Sequence, residues 1–142
     1  MRRSFPVAPL VAVIALAGCT KSSGVTAGGA PQLSARAMPT GVTAALIARG
    51  DSLFNTGSCQ RCHGQKGIGA RNGPSLVAGP WIQVSGRYEE IVTIITTGVP
   101  RTAIKDASHP FPMNPRGGPM NLTDDQVKTV AAYVWSISRD KR

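Results

Sequence analysis

The chain has 142 residues, only 5% of them aromatic, and 16 Lys and Arg against 7 Asp and Glu give a formal net charge of +9. That length holds one modest domain and excludes two full cores, and so few large rings would leave the core thin unless something other than side chains filled it. A basic chain can signal nucleic-acid binding, but the domain has no run of cations and few aromatics to stack on bases, so that class is set aside.

The first elements are processing signals. Arg2 and Arg3 form a positive start, and the apolar run 7–18, VAPLVAVIALAG, is interrupted by Pro9. As a helix it would rise about 18 Å, short of a hydrocarbon core of roughly 30 Å, so it reads as a cleaved export signal. LAGC at 16–19 resembles the lipobox of bacterial lipoproteins, whose cysteine is acylated and becomes the first residue of the mature chain. An ordinary secretory cleavage beside an incidental cysteine is the other reading. The expected organisation is a lipoprotein signal peptide over 1–18, a lipidated tether over 19–40 that begins at Cys19, and a domain over 41–142. The tether is rich in Gly, Ser, Ala and Thr without an apolar period, which makes it a flexible leash with an r.m.s. span of roughly 25 Å. Without Arg2 and Arg3 the chain keeps 14 basic residues against 7 acidic, or +7, and without Lys21 and Arg36 as well the domain keeps +5. Such an excess suits acidic protein partners or anionic lipid.

The domain opens on a helix over 42–56, VTAALIARGDSLFNT, with Leu46, Arg49 or Gly50, Leu53 and Phe54 on one face, Thr40 as candidate N-cap and Gly57 as the stop. Gly50 inside it costs about 1 kcal/mol relative to Ala, which suits a position where another helix crosses closely.

SCQRCHG at 58–64 follows. The C-x-x-C-H core fits three chemistries: a redox dithiol, part of a zinc site, or the attachment point of a c-type haem. Structural zinc needs four ligands, and with Cys19 assigned to lipid the chain offers two thiolates, His63 and His109, with no second C-x-x-C. A thioredoxin-like dithiol expects a βαβ setting, whereas the surroundings read as helical. Haem attachment has a mechanical reason. On a helical turn, thiols three residues apart reach two vinyl groups of one macrocycle, and the adjacent histidine lies under the iron. Cys59, Cys62 and His63 are therefore assigned to one covalently attached haem c.

The stretch 64–80 is rich in Gly and Pro and fits neither helix nor strand, as a loop wrapped over a cofactor would be. A helix is expected over 88–97, YEEIVTIITT, with Ser85 as candidate N-cap, Tyr88, Ile91, Val92 and Ile95 as its apolar stripe, and Gly98 and Pro100 ending it. The last helix starts at a capping box, Thr123 to Gln126, with Leu122 able to staple onto Val127. Val127, Val130, Ala131, Val134 and Ile137 make its stripe, and Arg139, Lys141 and Arg142 suit the negative end of its dipole.

Four pieces in this order, GDSLFNTGSCQRCHG, NGPSLVAGPW, FPMNPRGGPMNLTDDQV and VAAYVWSI, make the chain similar to the class I cytochromes c over about 42–139. The resemblance implies an all-α fold, a small cytochrome c with three to four short helices wrapped around one covalently bound haem. It implies that Gly50 and Phe54 cross the last helix at Tyr133, and that the Pro74 carbonyl accepts from the proximal His63. Trp81 matches a ring near a haem propionate, with plain core filling as the other reading. Met113 stands at the position of the sixth ligand; Met120 is the runner-up, and His109, in SHPFP, is expected at the surface. With both axial places filled, the implied function is one-electron transfer on the extracytoplasmic, periplasmic face of a membrane, as a carrier or as a subunit of a respiratory or dehydrogenase complex. Arg61, Lys66, Arg71, Arg101, Lys105 and Arg116 are candidates for a basic collar that steers acidic redox partners. A haem catalytic or gas-sensing module with a labile sixth ligand is the alternative.

Overall fold

Why the first helix starts where it does is set by Thr43, whose hydroxyl accepts the Leu46 N–H at 3.1 Å. The cap is Thr43 rather than Thr40, and helix α1 runs Ala44–Thr56, two residues later than the apolar pattern suggests. The computed structural model describes residues 37–78 and 80–138. The export signal, Cys19, tether residues 20–36 and the cations at 139–142 lie outside the described residues.

Among the described residues there are four α-helices: α1, α2 (Cys59–His63), α3 (Tyr88–Thr97) and α4 (Asp124–Ile137). Three short 3-10 turns, at Gln65–Gly67, Arg101–Ala103 and Pro115–Met120, punctuate the connections. The all-α class expected from the sequence is what is found. The first of these turns falls within 64–80, where no regular element was expected, and Lys66 takes a left-handed conformation inside it (φ 54°).

α4 is the spine. Its capping box is complete: Thr123 Oγ1 accepts the Gln126 N–H at 3.3 Å, and Gln126 Oε1 accepts the Thr123 N–H at 3.0 Å. The buried surface is wider than one stripe, since Ala132, Tyr133 and Trp135 are buried along with Val127, Val130, Ala131 and Val134, while Ile137 is only partly covered. A helix buried nearly all round has neighbours on several sides, and here α1 and α3 both pack on it. Full burial of Trp135 and Phe54 stabilises the fold by roughly 1.5–3 kcal/mol each.

The α1–α4 crossing explains Gly50. A Cβ there would run into the Thr129 carbonyl oxygen and come within 2.7 Å of Tyr133 Cβ. One turn on, the rings of Phe54 and Tyr133 pack with centroids 5.3 Å apart at 53°, a tilted contact of the kind worth about 0.5–1.5 kcal/mol beyond its area.

α3 enters differently from the sequence expectation. Its N-cap is Arg87 and not Ser85. Ser85 instead donates twice to the Glu90 carboxylate, from N at 2.7 Å and from Oγ at 2.6 Å, while Arg87 donates from Nε at 2.9 Å. These bonds hold the Glu90 carboxyl down at about 2, against 4.5 for the free group. The folded value lies below the unfolded one, so the stabilisation is complete above about pH 4.5, shrinks as pH falls, and is gone below about pH 2. Glu90→Gln is accordingly expected to unfold more readily than the native chain at pH 7 in thermal melts, with the gap closing as the pH is lowered from 4.5 towards 2. A gap that stays constant across that range would refute the coupling.

Candidate functional site

α2 delivers the C-x-x-C-H residues as one helical turn and a half between α1 and the Gly-rich loop. A cleft opens beside it, with about 1040 Å³ of unfilled space including its mouth. Phe54 of α1, Ile91 and Ile95 of α3 and Val130 and Val134 of α4 form its floor. Cys59, His63, Pro74, Trp81 and Met113 all face this cleft, so the chain brings together residues spread over more than fifty positions. Cys62 does not line it; it is half-buried beside Gly73, whose own Cβ position would lie 2.8 Å from the Cys62 carbonyl oxygen. The two thiols are free and not joined to each other.

His63 Nδ1 lies 3.0 Å from the Pro74 carbonyl oxygen. A carbonyl only accepts, so Nδ1 carries the hydrogen and Nε2 keeps its lone pair. Burial pushes the ring below its ordinary value against the opposing pull of Pro74, and nearby His109 adds to the lowering. A neutral imidazole with a fixed tautomer is what a metal ligand requires. Burial raises the Cys59 thiol, the opposite of the depressed value that makes a reactive redox dithiol. Among the described residues no group of three or more His, Cys, Asp or Glu is arranged to hold a metal ion, so the cluster that a Cys/His zinc site needs is not assembled there.

Met113 and Met120 have different fates. Met113 lines the cleft and its backbone pairs with Val99, N–H to O at 3.0 Å and O to the Val99 N–H at 2.8 Å. Gly98, at φ +70°, lets this segment press against the end of α3, since a Cβ there would strike the Met113 carbonyl oxygen. The Met120 sulfur turns the other way and accepts the Ser58 N–H at 3.1 Å.

The far wall of the cleft has no counterpart in the sequence motifs. Gln83 ties its two segments together, donating to the Ala103 carbonyl at 3.0 Å and accepting the Lys105 N–H at 3.2 Å. Asp106 and His109 lie on that wall, His109 Nδ1 2.7 Å from Asp106 Oδ2. His109 thus borders the cleft while its side chain stays 27% exposed. Phe111 and Ile82 line the same cleft yet stay 46% and 47% exposed, which puts them at its mouth.

An apolar cleft with a fixed neutral imidazole, a thiol beside it and a thioether on its wall fits one flat macrocycle holding a metal. The family model for cytochrome c matches residues 47–138. The chain belongs to the cytochrome c family. Members of this family carry covalently attached haem c, and the spacing of Cys59 and Cys62 fits it. The order of helices in this cytochrome c agrees with the class I layout read from its motifs. Among solved structures it is similar to cytochrome cL from the marine methylotrophic bacterium Methylophaga aminisulfidivorans, at 25% identity and a TM-score of 0.46, over 66% of this chain and 53% of that one. The chain thus spans about half the length of that cytochrome. No curated protein matches it.

Proposed function

We propose that this cytochrome c passes single electrons between redox proteins with its iron held by His63 and Met113 and its haem joined to Cys59 and Cys62, from a lipid anchor at Cys19 on the extracytoplasmic face of a membrane. When bound, haem c supplies a one-electron ferric/ferrous couple. The chain's own residues decide how that couple behaves. Pro74 accepts the His63 Nδ1–H, which orients the ring and strengthens it as a donor. A thioether from Met113 favours the ferrous state and raises the potential. Phe54, Ile91, Ile95 and Val130 keep water from the cleft floor, so little solvent reorganises when charge changes.

The observation that carries the reading is the division of labour between the two methionines: Met113 faces the cleft with His63, while the Met120 sulfur is engaged by Ser58. With the iron held by both His63 and Met113, substrate would find no place on the metal, which favours electron transfer over catalysis. The partners are acidic proteins. Arg61, Lys66, Arg71, Arg101 and Lys105 are exposed, but Arg116 is withdrawn from that set, since it donates to the Leu122 carbonyl at 2.9 Å and to Asp124 at 2.7 Å.

Met113→Ala is expected to abolish the weak far-red absorption band of sulfur–iron ligation in the oxidised protein. It is also expected to lower the potential by on the order of 0.1 V, within the roughly 0.8 V that axial ligands span. Met120→Ala is expected to keep the band. A band that survives in Met113→Ala and disappears in Met120→Ala would reverse the assignment; rapid carbon monoxide binding by the native ferrous protein would favour a catalytic or sensing haem.

A further inference from the structure

Two contacts join segments that stand sixty residues apart. Ser58, the residue immediately before Cys59, donates from Oγ to the Gly117 carbonyl at 2.5 Å. Its backbone N–H donates to Met120 Sδ at 3.1 Å. Met120 is seated by shape as well, because its Sδ and Cε fill the space where a Cβ on Gly57 would stand, and a Cβ on Gly117 would lie 3.2 Å from the same sulfur. Gly57 ends α1 and Ser58 leads into α2. The entry to the C-x-x-C-H turn is thus fastened to the segment that follows Met113.

That segment needs fastening. Arg116, Gly117 and Gly118 have φ of 50°, 68° and 58° in succession, a left-handed run that an L-residue such as Arg116 adopts only when its surroundings impose it. Met113 is held at one end by Val99, and Leu122 at the other is held by its N–H to the Arg116 carbonyl at 3.0 Å. Between these ends, Ser58 and Met120 supply the link to the helix that carries Cys59 and His63. Gly117 itself lines the cleft, so a shift of this strap moves the wall on which Met113 stands.

We propose that Ser58 and Met120 form a clip that positions the 113–122 strap against α2, and so governs how readily Met113 leaves the iron. The proposal rests on the reading of Met113 as ligand. Ser58 and Met120 are positioning residues: neither is assigned to the iron. Without the clip, the strap keeps its ends but loses its middle fastening, and an outside ligand competes with Met113 more easily.

The test uses the mature holoprotein and imidazole as the competing ligand. Loss of one hydrogen bond of this kind corresponds to roughly a two- to tenfold change in an equilibrium constant. Ser58→Ala is expected to bind imidazole about two- to tenfold more tightly in the ferric state, and Ser58→Thr, which keeps the hydroxyl, is expected to restore native affinity. Met120→Leu keeps the bulk but removes the sulfur acceptor and is expected to shift binding in the same direction by a smaller factor. Ser52→Ala, which loses only a hydroxyl contact to Ala48 on the exposed face of α1, is expected to change nothing. Amide hydrogen exchange at Met113, Asn121 and Leu122 gives a second readout independent of the sixth ligand, expected to quicken two- to tenfold in Ser58→Ala while α4 stays protected. Native imidazole affinity and native strap exchange in both Ser58→Ala and Met120→Leu would overturn the clip. Quickened strap exchange in a protein whose far-red band survives Met113→Ala would sustain the clip and overturn the ligand assignment instead.

Discussion

A Cys59→Ser, Cys62→Ser double variant, produced in the same host as the native chain, is expected to yield a polypeptide that carries no haem mass. No thioether then fastens haem to the chain, and under denaturing conditions no colour should remain with the protein. The effect on folding follows from the cleft. At about 24 cal/mol per Å³, leaving the cleft's cavity of about 160 Å³ empty would cost roughly 4 kcal/mol. That is a large share of the whole stability of a typical domain, about 5–15 kcal/mol. The double variant should therefore melt well below the native holoprotein when depleted of haem, and a colourless protein with a native melting profile would contradict the reading.

The second large effect is expected at Gly50. Ala is the better helix former by about 1 kcal/mol, so an exposed position would gain from the change. Here the added Cβ meets a backbone carbonyl, that of Thr129, which cannot swivel aside as a side chain would. Overpacking of this kind typically costs about 1–3 kcal/mol. Gly50→Ala is expected to destabilise modestly, and Gly50→Val, with two further methyls and no comparable propensity gain, by more than 3 kcal/mol. For a domain of this size each kcal/mol moves the melting temperature by about 4–8 °C, so the valine variant should melt more than 12 °C below the native holoprotein. Arg49→Ala, one residue away and exposed, should stay within about 0.5 kcal/mol. A Gly50→Val variant that melts like the native holoprotein would mean that α1 and α4 do not cross at this point.

The helices were legible because their signals are local. The capping box at Thr123 and Gln126 and the Gly98–Pro100 stop lie within a few residues of the boundaries they set: α4 begins at that box and α3 ends at that stop. The caps of α1 and α3 are less clearly marked: the hydroxyls of Thr40 and Thr43 are both adequate acceptors for a first-turn N–H and only the bonding partner separates them, while Arg87 caps α3 with no side-chain hydrogen bond. In the candidate site, the contact between His63 and Pro74 followed from resemblance and is present at 3.0 Å. The far wall was hidden. Gln83, Asp106, His109 and Phe111 sit in irregular chain without a period, and what unites them is hydrogen bonding between segments twenty residues apart. The Ser58–Gly117 contact was equally silent, because a serine before a motif and a glycine in a run of turns carry no mark of each other. The width of α4's buried surface was underestimated since a stripe describes a helix with one neighbour, and α4 has two.

The crossing of α1 and α4 has one more consequence. The two ends of the domain are clasped, and between them the exposed turn at Arg71 and Asn72 lies outside the cleft lining. For a flexible segment, doubling its length costs only about 0.6 kcal/mol in closure entropy. Evolution can therefore lengthen or recolour this turn, and with it the rim shown to other molecules, while the knot at Gly50, Phe54 and Tyr133 stays tied. The same economy tells the engineer where a loop graft will be tolerated and where a single methyl will not.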